Sequence, residues 1–366
     1  MLNVAIIIPA LNPTPSLIEY VKALLTEGAA QIIVVNDGSR AELTSIFTEC
    51  SQLKNCTVLT HDINKGKGRA LKTAFTYFLK NMNHLAGVIT ADADGQHAVE
   101  DVCKLAKLLA GKQNGILLGV RDFSQANVPF RSRLGNRTTS LIFRLLYGYK
   151  LEDTQTGLRG IPASELPSIA NLKGERYEYE INMLIYARKM NISMDEIPIQ
   201  TLYFNDNDGS HYNSIIDSFR VFRKLISGLL RYSFSTIASG VIDIICFILL
   251  ANFLLIELPL KTRVFFATMV ARALSSTGNY YLNRNLVFKA GNRLSSSLFK
   301  YYLLVISQIV ASYVLVVSAN LSLGANIILV KIFVDTLLGI VSYQLQLHWV
   351  FKKNYPEQIA GESNGR

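Results

Sequence analysis

Two aspartates separated by one alanine, Asp92 and Asp94, are the side chains whose type and spacing most directly predict chemistry in this sequence. They follow an apolar run typical of a short buried strand, and Gly95 after them predicts a turn. Open α/β sheets bind their ligands at such strand ends. Carboxylate oxygens and the amide of Gln96 are hard ligands that suit Mg²⁺ or Mn²⁺ holding a diphosphate. The pattern predicts a metal site at Asp92, Asp94 and Gln96, and the simpler alternative is an acidic turn.

The elements that must position these residues alternate between strands and helices, as in a parallel α/β sheet. Further strands are predicted at Val4–Pro9, Gln31–Val35, Thr57–Thr60, Gly115–Val120 and Glu196–Ile199. Helices are predicted at Ser16–Glu27, from Asn64 to about Met82, at Val99–Leu109 and at Tyr177–Met190. Glu152–Arg159 reads as a polar turn. Three strands end in polar, turn-forming residues, so those ends should meet in one crevice.

Composition separates the chain from ordinary soluble enzymes. Half of its 366 residues are hydrophobic and 17% are charged, and the mean hydropathy is +0.25, so part of the chain is expected in lipid. The net charge of +10 favours an anionic membrane surface over nucleic acid, because the basic residues lie beside apolar segments. Four cysteines without C-x-x-C spacing predict neither disulfides nor a zinc site.

The second half of the chain predicts membrane helices. Ser214–Leu230 has the pattern of a basic amphipathic helix at the membrane interface, and the alternative is a helix packed on the sheet. Four apolar runs follow, each near the roughly 20 residues that cross a bilayer: Ser235–Ile256, Val264–Leu282, Leu298–Ala319 and Asn326–Leu347. Basic residues gather on one side of these runs, which places both termini in the cytosol. The absence of a signal-peptide pattern agrees with this orientation.

Four charges lie within the apolar runs: Asp243, Arg272, Lys331 and Asp335. Each costs about 2.5–3.5 kcal/mol at the bilayer centre on insertion scales, so pairing or function is expected. We predict that Arg272 pairs with Asp243 or Asp335, and that Lys331 can pair with Asp335 one helical turn away.

An internal repeat is visible at the ends of two of these runs. Asn279–Lys289 resembles Ser342–Lys352, with Tyr, Leu, Val, Phe and Lys recurring in register. This predicts two parallel hairpin repeats, an arrangement met in transporters. The alternative is coincidence in aromatic-rich interface sequence.

Six short segments, in order, carry a resemblance to a known family. They are Ile8–Asn12, Val35–Ser39, Asn64–Gly68, Asp92–His97, Gly119–Arg121 and Asp153–Arg159. Through them residues 1 to about 215 resemble glycosyltransferase family 2, of the polyprenyl-phosphate, dolichol-phosphate-mannose-synthase-like kind. Residues from about 228 to 353 resemble the GtrA-like four-span family.

The resemblance implies a GT-A fold, Rossmann-like with a mostly parallel sheet, followed by an all-α domain of four transmembrane helices. The expected organisation is a catalytic domain at 1–213, an interface helix at 214–230, a GtrA-like membrane domain at 231–353 and a flexible tail at 354–366. Such a protein is a multi-pass cell-membrane enzyme. It takes a nucleotide-sugar in the cytosol and transfers the sugar to a polyprenyl phosphate.

The resemblance also implies roles for single residues. Those expected to bind the donor are Pro9, Leu11, Asn12, Asp37, Lys65 and Asp92. Asp92, Asp94 and Gln96 would hold the diphosphate through Mg²⁺ or Mn²⁺, and Arg121 and Arg131 would bind the acceptor phosphate. Pro13 departs from the family, where many relatives carry Glu, which puts a ribose contact in doubt.

The expected chemistry is a direct, inverting displacement. The expected catalytic residues are Asp94, Arg121 and Asp153. Asp153 would be a supporting carboxylate near the anomeric carbon, and the alternative is an aspartate that caps a turn. Lys65 faces phosphate or is an ordinary cation at a helix start. The expected reaction moves a hexose from a UDP-sugar to undecaprenyl phosphate for cell-envelope glycan modification. The membrane domain then anchors the enzyme, oligomerises it or translocates the glycolipid.

Two alternatives remain open at this point. One is a glycolipid-binding or flippase protein with an inactive α/β domain. The other is a family 2 enzyme that acts on another lipid or on a glycan, against which stands the absence of Q-x-x-R-W from the sequence.

Overall fold

The computed structural model describes residues 2–82, 84–123, 128, 130–200, 216–323 and 327–352, without the side chains of 130, 131, 216–219, 320–323 and 327. The chain divides into two compact units, Met1–Leu225 and Ile226–Arg366. The predicted C-terminal tail and the side chain of Arg131 lie outside the described residues.

The first unit contains a seven-stranded sheet in the order β3-β2-β1-β4-β6-β5-β7. Its strands are β1 Leu2–Ala10, β2 Ala29–Asp37, β3 Cys56–His61, β4 Gly87–Thr90, β5 Ile116–Arg121, β6 Arg159–Pro162 and β7 Met194–Ile199. β6 runs antiparallel to β4 and β5, and the other neighbours are parallel. The predicted α/β class with a mostly parallel sheet is confirmed, but β6 was not predicted.

Helices surround this sheet. They are α1 Ser16–Thr26, α2 Thr44–Gln52, α3 Lys67–Asn81, α4 Val99–Ala110, α5 Phe130–Tyr147, α6 Leu166–Ala170 and α7 Glu178–Met190. The residues of β1 from Val4 to Ile8 are fully buried, which explains why this strand is a continuous apolar run instead of an alternating one. The helices α2, α5 and α6 were not predicted.

The strand ends that carry the candidate site residues lie at one edge of the sheet. β1 and β2 are in register as far as the pair Ala10 and Asn36, and β4 ends at Thr90, just before Asp92. Because β6 is antiparallel, it begins at this same edge, where Arg159 pairs with Thr90. The segments after β1, β2 and β4 and the segment before β6 are therefore brought together.

The second unit is helical. α8 spans Ile216–Leu249 and continues as a π-helical turn, Leu250–Leu254, while α10 spans Leu294–Leu323. α9, Leu260–Leu282, and α11, Ile327–Leu345, also end in π-helical turns, at Asn283–Val287 and Gln346–Val350.

Three stretches among the described residues are long and apolar enough to cross a membrane: Arg220–Leu254, Leu294–Ala319 and Ile328–Val350. The second predicted span, Val264–Leu282, is helical but does not reach that apolarity, because α9 carries Arg272 and a polar run from Ser275 to Asn279. The predicted interface helix and the first span form one helix from Ile216 onwards, with no break between them.

The two hairpins, α8–α9 and α10–α11, make matching contacts with each other. Tyr232 packs on Tyr343 with ring centroids 5.7 Å apart, and its counterpart Tyr301 packs on Tyr280 at 5.4 Å. Two further pairs exchange in the same way: Tyr280 with Phe351 at 5.6 Å, and Tyr343 with Phe288 at 5.5 Å. Each contact maps onto another when the hairpins are exchanged, so they are related by a local pseudo-two-fold axis.

Asn283 and Gln346 occupy equivalent positions in the two hairpins and bond to each other. Asn283 donates from Nδ2 to Gln346 Oε1 at 3.1 Å, and both side chains are buried. Each also donates one helical turn back, to Asn279 at 2.6 Å and to Ser342 at 3.2 Å. The axis therefore passes close to an amide pair that begins both π-helical turns.

Exchanging these two amides tests the pseudo-symmetry. Asn283→Gln or Gln346→Asn alone is expected to lower the Tm of the full chain by a few °C. The longer glutamine overfills the buried space at position 283, and the shorter asparagine at position 346 lengthens the hydrogen bond between the two amides. The double exchange keeps the total side-chain length and is expected to restore the Tm. Thermal unfolding in detergent measures this, and a double variant less stable than both singles would contradict the symmetry.

Candidate active site

Two segments predicted to bind the donor are hydrogen-bonded to each other at the sheet edge. The N–H of Asn12 donates to Ser39 Oγ at 2.8 Å, and the N–H of Arg40 donates to Asn12 Oδ1 at 2.9 Å. Asn12 has a φ of +45°, a backbone conformation that asparagine tolerates better than most residues. Pro9 and Leu11 flank this junction, so the loop after β1 and the loop after β2 form one surface.

Asp37 is buried at the end of β2, and its carboxylate is used by the chain itself. It accepts from the N–H groups of Lys65 at 3.0 Å and Gly66 at 2.8 Å, and His61 Nδ1 lies 2.7 Å away. Asp37 therefore positions the turn that starts α3, and its contact with a nucleotide stays a prediction. Lys65 takes part through its backbone, while its side chain is exposed.

Asp92 is paired with a lysine that the sequence reasoning missed. Lys67 Nζ lies 2.6 Å from Asp92 Oδ1 and 3.0 Å from Glu180 Oε1. His97 Nε2 is 3.5 Å from the other oxygen of Asp92, which is too long for a good hydrogen bond. Glu180 lies in the first turn of α7, and no sequence spacing links it to Lys67.

These charges shift one another's pKa values. Burial disfavours both charged forms, but the Lys67 ammonium outweighs it and holds the pKa of Asp92 well below its usual range. Equally, Asp92 and Glu180 overcome burial and raise the pKa of Lys67. Burial, and then the charge of Asp92, raise the pKa of Asp94. A cation beside Asp94 would therefore stabilise its charged form.

The residues fit a divalent ion at Asp94 and Gln96. Among the described residues, no three His, Cys, Asp or Glu side chains are grouped as metal ligands. Asp94 is partly exposed, and its Oδ1 accepts the N–H of Gln96 at 3.1 Å. Magnesium-type ions bind through one or two protein oxygens plus substrate phosphates, so Asp94 and Gln96 suit an ion that arrives with a diphosphate.

Gly157 allows the segment before β6 to approach Asp92. A Cβ at this position would lie 2.4 Å from Asp92 Oδ2, closer than any real contact. Thr90 holds the glycine in place, since its hydroxyl donates to the carbonyl of Gly157 at 2.7 Å. The backbone of the segment Asp153–Arg159 therefore lies directly against the Asp92 carboxylate.

Gly157→Ala is expected to lower kcat/KM by about tenfold or more with little change in Tm, because the Cβ displaces the end of the Asp92 side chain and not the backbone. Steady-state kinetics and thermal unfolding of the full chain measure both. The matched control is Gly135→Ala in α5, where a Cβ meets nothing within 4 Å. Equal kinetics for the two variants would contradict the role of this contact.

Arg121, at the end of β5, and Asp153 form a forked ion pair. Arg121 Nε donates to Asp153 Oδ2 at 2.7 Å and Nη2 donates to Oδ1 at 3.1 Å. Asp153 is fully buried and also accepts the N–H of Gln155 at 2.9 Å. The guanidinium lies over the Phe123 ring, 4.9 Å from its centroid. The fork fixes the plane of the guanidinium, so Asp153 positions Arg121.

A cleft of about 610 Å³ opens beside Arg121. Cationic and apolar side chains line it together: Arg121, Arg137, Arg144 and Lys150 with Val120, Phe123, Leu141, Leu151, Pro198 and Ile199. Two acidic side chains, Asp122 and Glu152, line it as well, and Glu152 pairs with Lys150 at 2.6 Å, so the three arginines are the cations expected to bind an anion. Such a lining suits an anion attached to an apolar chain. α5 supplies Arg137 and Arg144; the side chain of Arg131, on the same helix, is outside the described residues.

The membrane-unit charges form two separate groups. Arg272 Nη2 lies 3.4 Å from Asp243, which also accepts the hydroxyl of Ser275 at 2.8 Å. Lys331 lies 2.7 Å from Asp335. Each of the four charges therefore has a partner of opposite charge, as expected because an unpaired charge within a bilayer is costly.

Family models match both units. "Glycosyl transferase family 2" matches residues 5–162, and "GtrA/DPMS, transmembrane domain" matches residues 221–351. An uncharacterized protein of Methanocaldococcus jannaschii is 32% identical over 61% of this chain and 91% of its own length.

Two relatives carry activity names. The UDP-N-acetylglucosamine--dolichyl-phosphate N-acetylglucosaminyltransferase of Methanococcus voltae is 30% identical over 60% of this chain and 94% of its own length. The dolichyl-phosphate beta-glucosyltransferase of Dictyostelium discoideum is 24% identical over 62% of this chain and 74% of its own.

The fold and the family matches together define a glycosyltransferase with a GT-A-like catalytic domain and a transmembrane domain. The chain belongs to glycosyl transferase family 2 and carries a GtrA/DPMS transmembrane domain. The family match favours an active glycosyltransferase over the alternative of an inactive binding protein.

Proposed function

We propose that this enzyme transfers a hexose from a UDP-sugar to undecaprenyl or another polyprenyl phosphate at the cytosolic face of the membrane. The observation that carries this is the cleft beside Arg121, which combines cations with apolar side chains as a prenyl phosphate requires. The names of two relatives support it, since both act on dolichyl phosphate and one uses a UDP-sugar.

The acceptor phosphate is already an anion near neutral pH, so it needs positioning more than deprotonation. Arg121, held by Asp153, binds the phosphate in the cleft. A phosphate oxygen forms the new bond to the anomeric carbon, and the bond from that carbon to the nucleoside diphosphate breaks. The leaving diphosphate keeps the electron pair, and the direct displacement inverts the carbon.

Negative charge grows on the diphosphate during this step. Asp94 and Gln96 would hold Mg²⁺ or Mn²⁺ there, and the bound ion supplies the neutralising charge. The loops that contain Asn12 and Asp37 would hold the nucleoside. Gly157, which has no side chain, lets its backbone lie against the Asp92 carboxylate.

The membrane unit keeps the enzyme beside its lipid acceptor, with both termini in the cytosol. It anchors the catalytic unit, and translocation of the product or oligomerisation are further roles for it. The product is a polyprenyl-phosphate sugar for modification of cell-envelope glycans.

A donor screen tests the proposal. The full chain, in nanodiscs with undecaprenyl phosphate and Mn²⁺, is offered labelled UDP-glucose, UDP-N-acetylglucosamine and GDP-mannose in parallel. We expect one UDP-sugar to give organic-soluble label that mild acid releases. Use of GDP-mannose alone would contradict the donor class.

A further inference from the structure

We propose that Lys67 is a tethered cation that occupies Asp92 until a divalent ion binds, and that Glu180 is the carboxylate that receives Lys67 when the ion displaces it. The inference rests on the proposed function only in that a divalent ion binds at this edge of the sheet.

Lys67 already contacts both carboxylates. Its Nζ is 2.6 Å from Asp92 and 3.0 Å from Glu180, and an ammonium has three donors to share. The lysine and Glu180 side chains are 16% and 9% exposed, whereas Asp92 is 29% exposed. The end of the bridge open to an incoming ion is therefore Asp92, and the sheltered end is Glu180.

Glu180 needs a cation whether or not an ion is bound. A buried carboxylate without a partner is strongly destabilising. Arg159 lies beside it, but its Nη1 donates to the backbone carbonyl of Glu180 at 2.6 Å and not to the carboxylate. Lys67 is the cation on the Glu180 carboxylate, so it has a place to stay when it leaves Asp92.

The start of α3 is built to hold Lys67 between these groups. Gly66 has a φ of +97°, and a Cβ on Gly68 would lie 2.6 Å from the Cβ of Tyr179. The N–H of Arg69 donates to the carbonyl of Glu175 at 3.0 Å. The helix thus docks closely on the segment that leads into α7, and the Lys67 ammonium lies 5.6 Å from the Tyr177 ring centroid.

Lys72 is a matched control on the same helix. It pairs with Glu175 at 2.7 Å and lies 5.5 Å from the ring centroid of Tyr179. It therefore shares the chemistry of Lys67, a lysine bound to a glutamate and an aromatic ring, but its ion pair is with Glu175 and not with Asp92.

Mn²⁺ binding to the full chain in detergent, followed by electron paramagnetic resonance without nucleotide, tests the inference. Lys67→Met frees Asp92 and is expected to tighten Mn²⁺ binding about tenfold, against less than twofold for Lys72→Met. Glu180→Gln removes the receiving carboxylate and is expected to weaken binding about tenfold. Lys67→Gln, which keeps a polar side chain, replaces the Met variant if that variant does not fold.

Each result separates this inference from the proposed function. Tighter binding in Lys67→Met, or in Lys67→Gln where it replaces the Met variant, together with weaker binding in Glu180→Gln, supports the tethered cation. Binding in Lys67→Met that is equal to Lys72→Met, or weaker than wild type, overturns it and leaves the metal role intact. Wild-type protein that binds no Mn²⁺ with or without UDP overturns the metal role itself, and this inference with it.

Discussion

Asp94→Asn is expected to lower kcat by about 10³-fold, because asparagine cannot supply the charge that holds a divalent ion on the leaving diphosphate. The change is nearly isosteric, and the amide oxygen can still accept the N–H of Gln96. The fold should therefore survive, and the Tm should stay within a few °C of wild type. Initial rates over a Mn²⁺ series, with a labelled nucleotide-sugar, measure the loss.

Asp101→Asn is the matched control for this prediction. Asp101 is also an aspartate that accepts a backbone N–H, from Gln200 at 2.7 Å, but it lies on α4 and not at the strand end. It should retain most of the activity. Equal rates for Asp94→Asn and wild type, or equal losses in the two variants, would remove Asp94 from the metal site.

Arg121→Met is expected to lower kcat/KM for the acceptor by about 10²–10³-fold, because the phosphate loses a guanidinium that Asp153 has fixed in place. The KM for the nucleotide-sugar should change little. The same change leaves Asp153 buried without its cation, which should lower the Tm by roughly 10 °C. Activity and stability therefore fall together in this variant, and a second variant must separate them.

The double variant Arg121→Met/Asp153→Leu makes this separation. Removing both charges of a buried pair costs far less than removing one, so the Tm should recover while activity stays low. Arg137→Met removes an exposed arginine that also lines the cleft, and it should lose only a few-fold in activity. Recovery of activity together with Tm would show that Arg121 serves the fold and not the acceptor.

Strands with a continuous apolar run could be predicted from the sequence because burial on both faces leaves a direct signature. β1, β2 and β4 are such strands, and the site segments follow them. β6 left no such signature, since Arg159–Pro162 is four residues long and contains glycine and proline. Its place between β4 and β5 depends on pairing with distant residues.

α5 was missed for a different reason. Its buried face includes Asn136 and Thr139, so the apolar period of a helix is interrupted. Both side chains serve the segment that contains Asp153: Asn136 donates to the carbonyl of Glu152 at 2.6 Å, and Thr139 bonds to Thr154 at 2.8 Å. A helix whose buried polar side chains are hydrogen-bonded to a loop cannot be predicted from the spacing of apolar residues alone.

Candidate site residues could be predicted where they lie close together in the sequence. They could not be predicted where residues from distant segments meet only in the folded chain. The spacing of Asp92 and Asp94 is local, and it predicted their place just after a strand, where β4 ends at Thr90. Lys67, Asp92 and Glu180 come from three distant segments, so their contact exists only in the folded chain. In the membrane unit, the internal repeat of Asn279–Lys289 in Ser342–Lys352 predicted two hairpins. The structure adds that Asn283 and Gln346 are hydrogen-bonded to each other.

Transfer of the sugar to a lipid phosphate is tested by determining the chemical identity of the acceptor. The wild-type chain in nanodiscs is given its preferred labelled nucleotide-sugar with either undecaprenyl phosphate or undecaprenol, and the lipids are analysed by mass spectrometry. We expect one hexose joined through phosphate to the phosphorylated lipid, and no product on undecaprenol. A sugar found on undecaprenol, or on a glycan with none on the lipid phosphate, would contradict it.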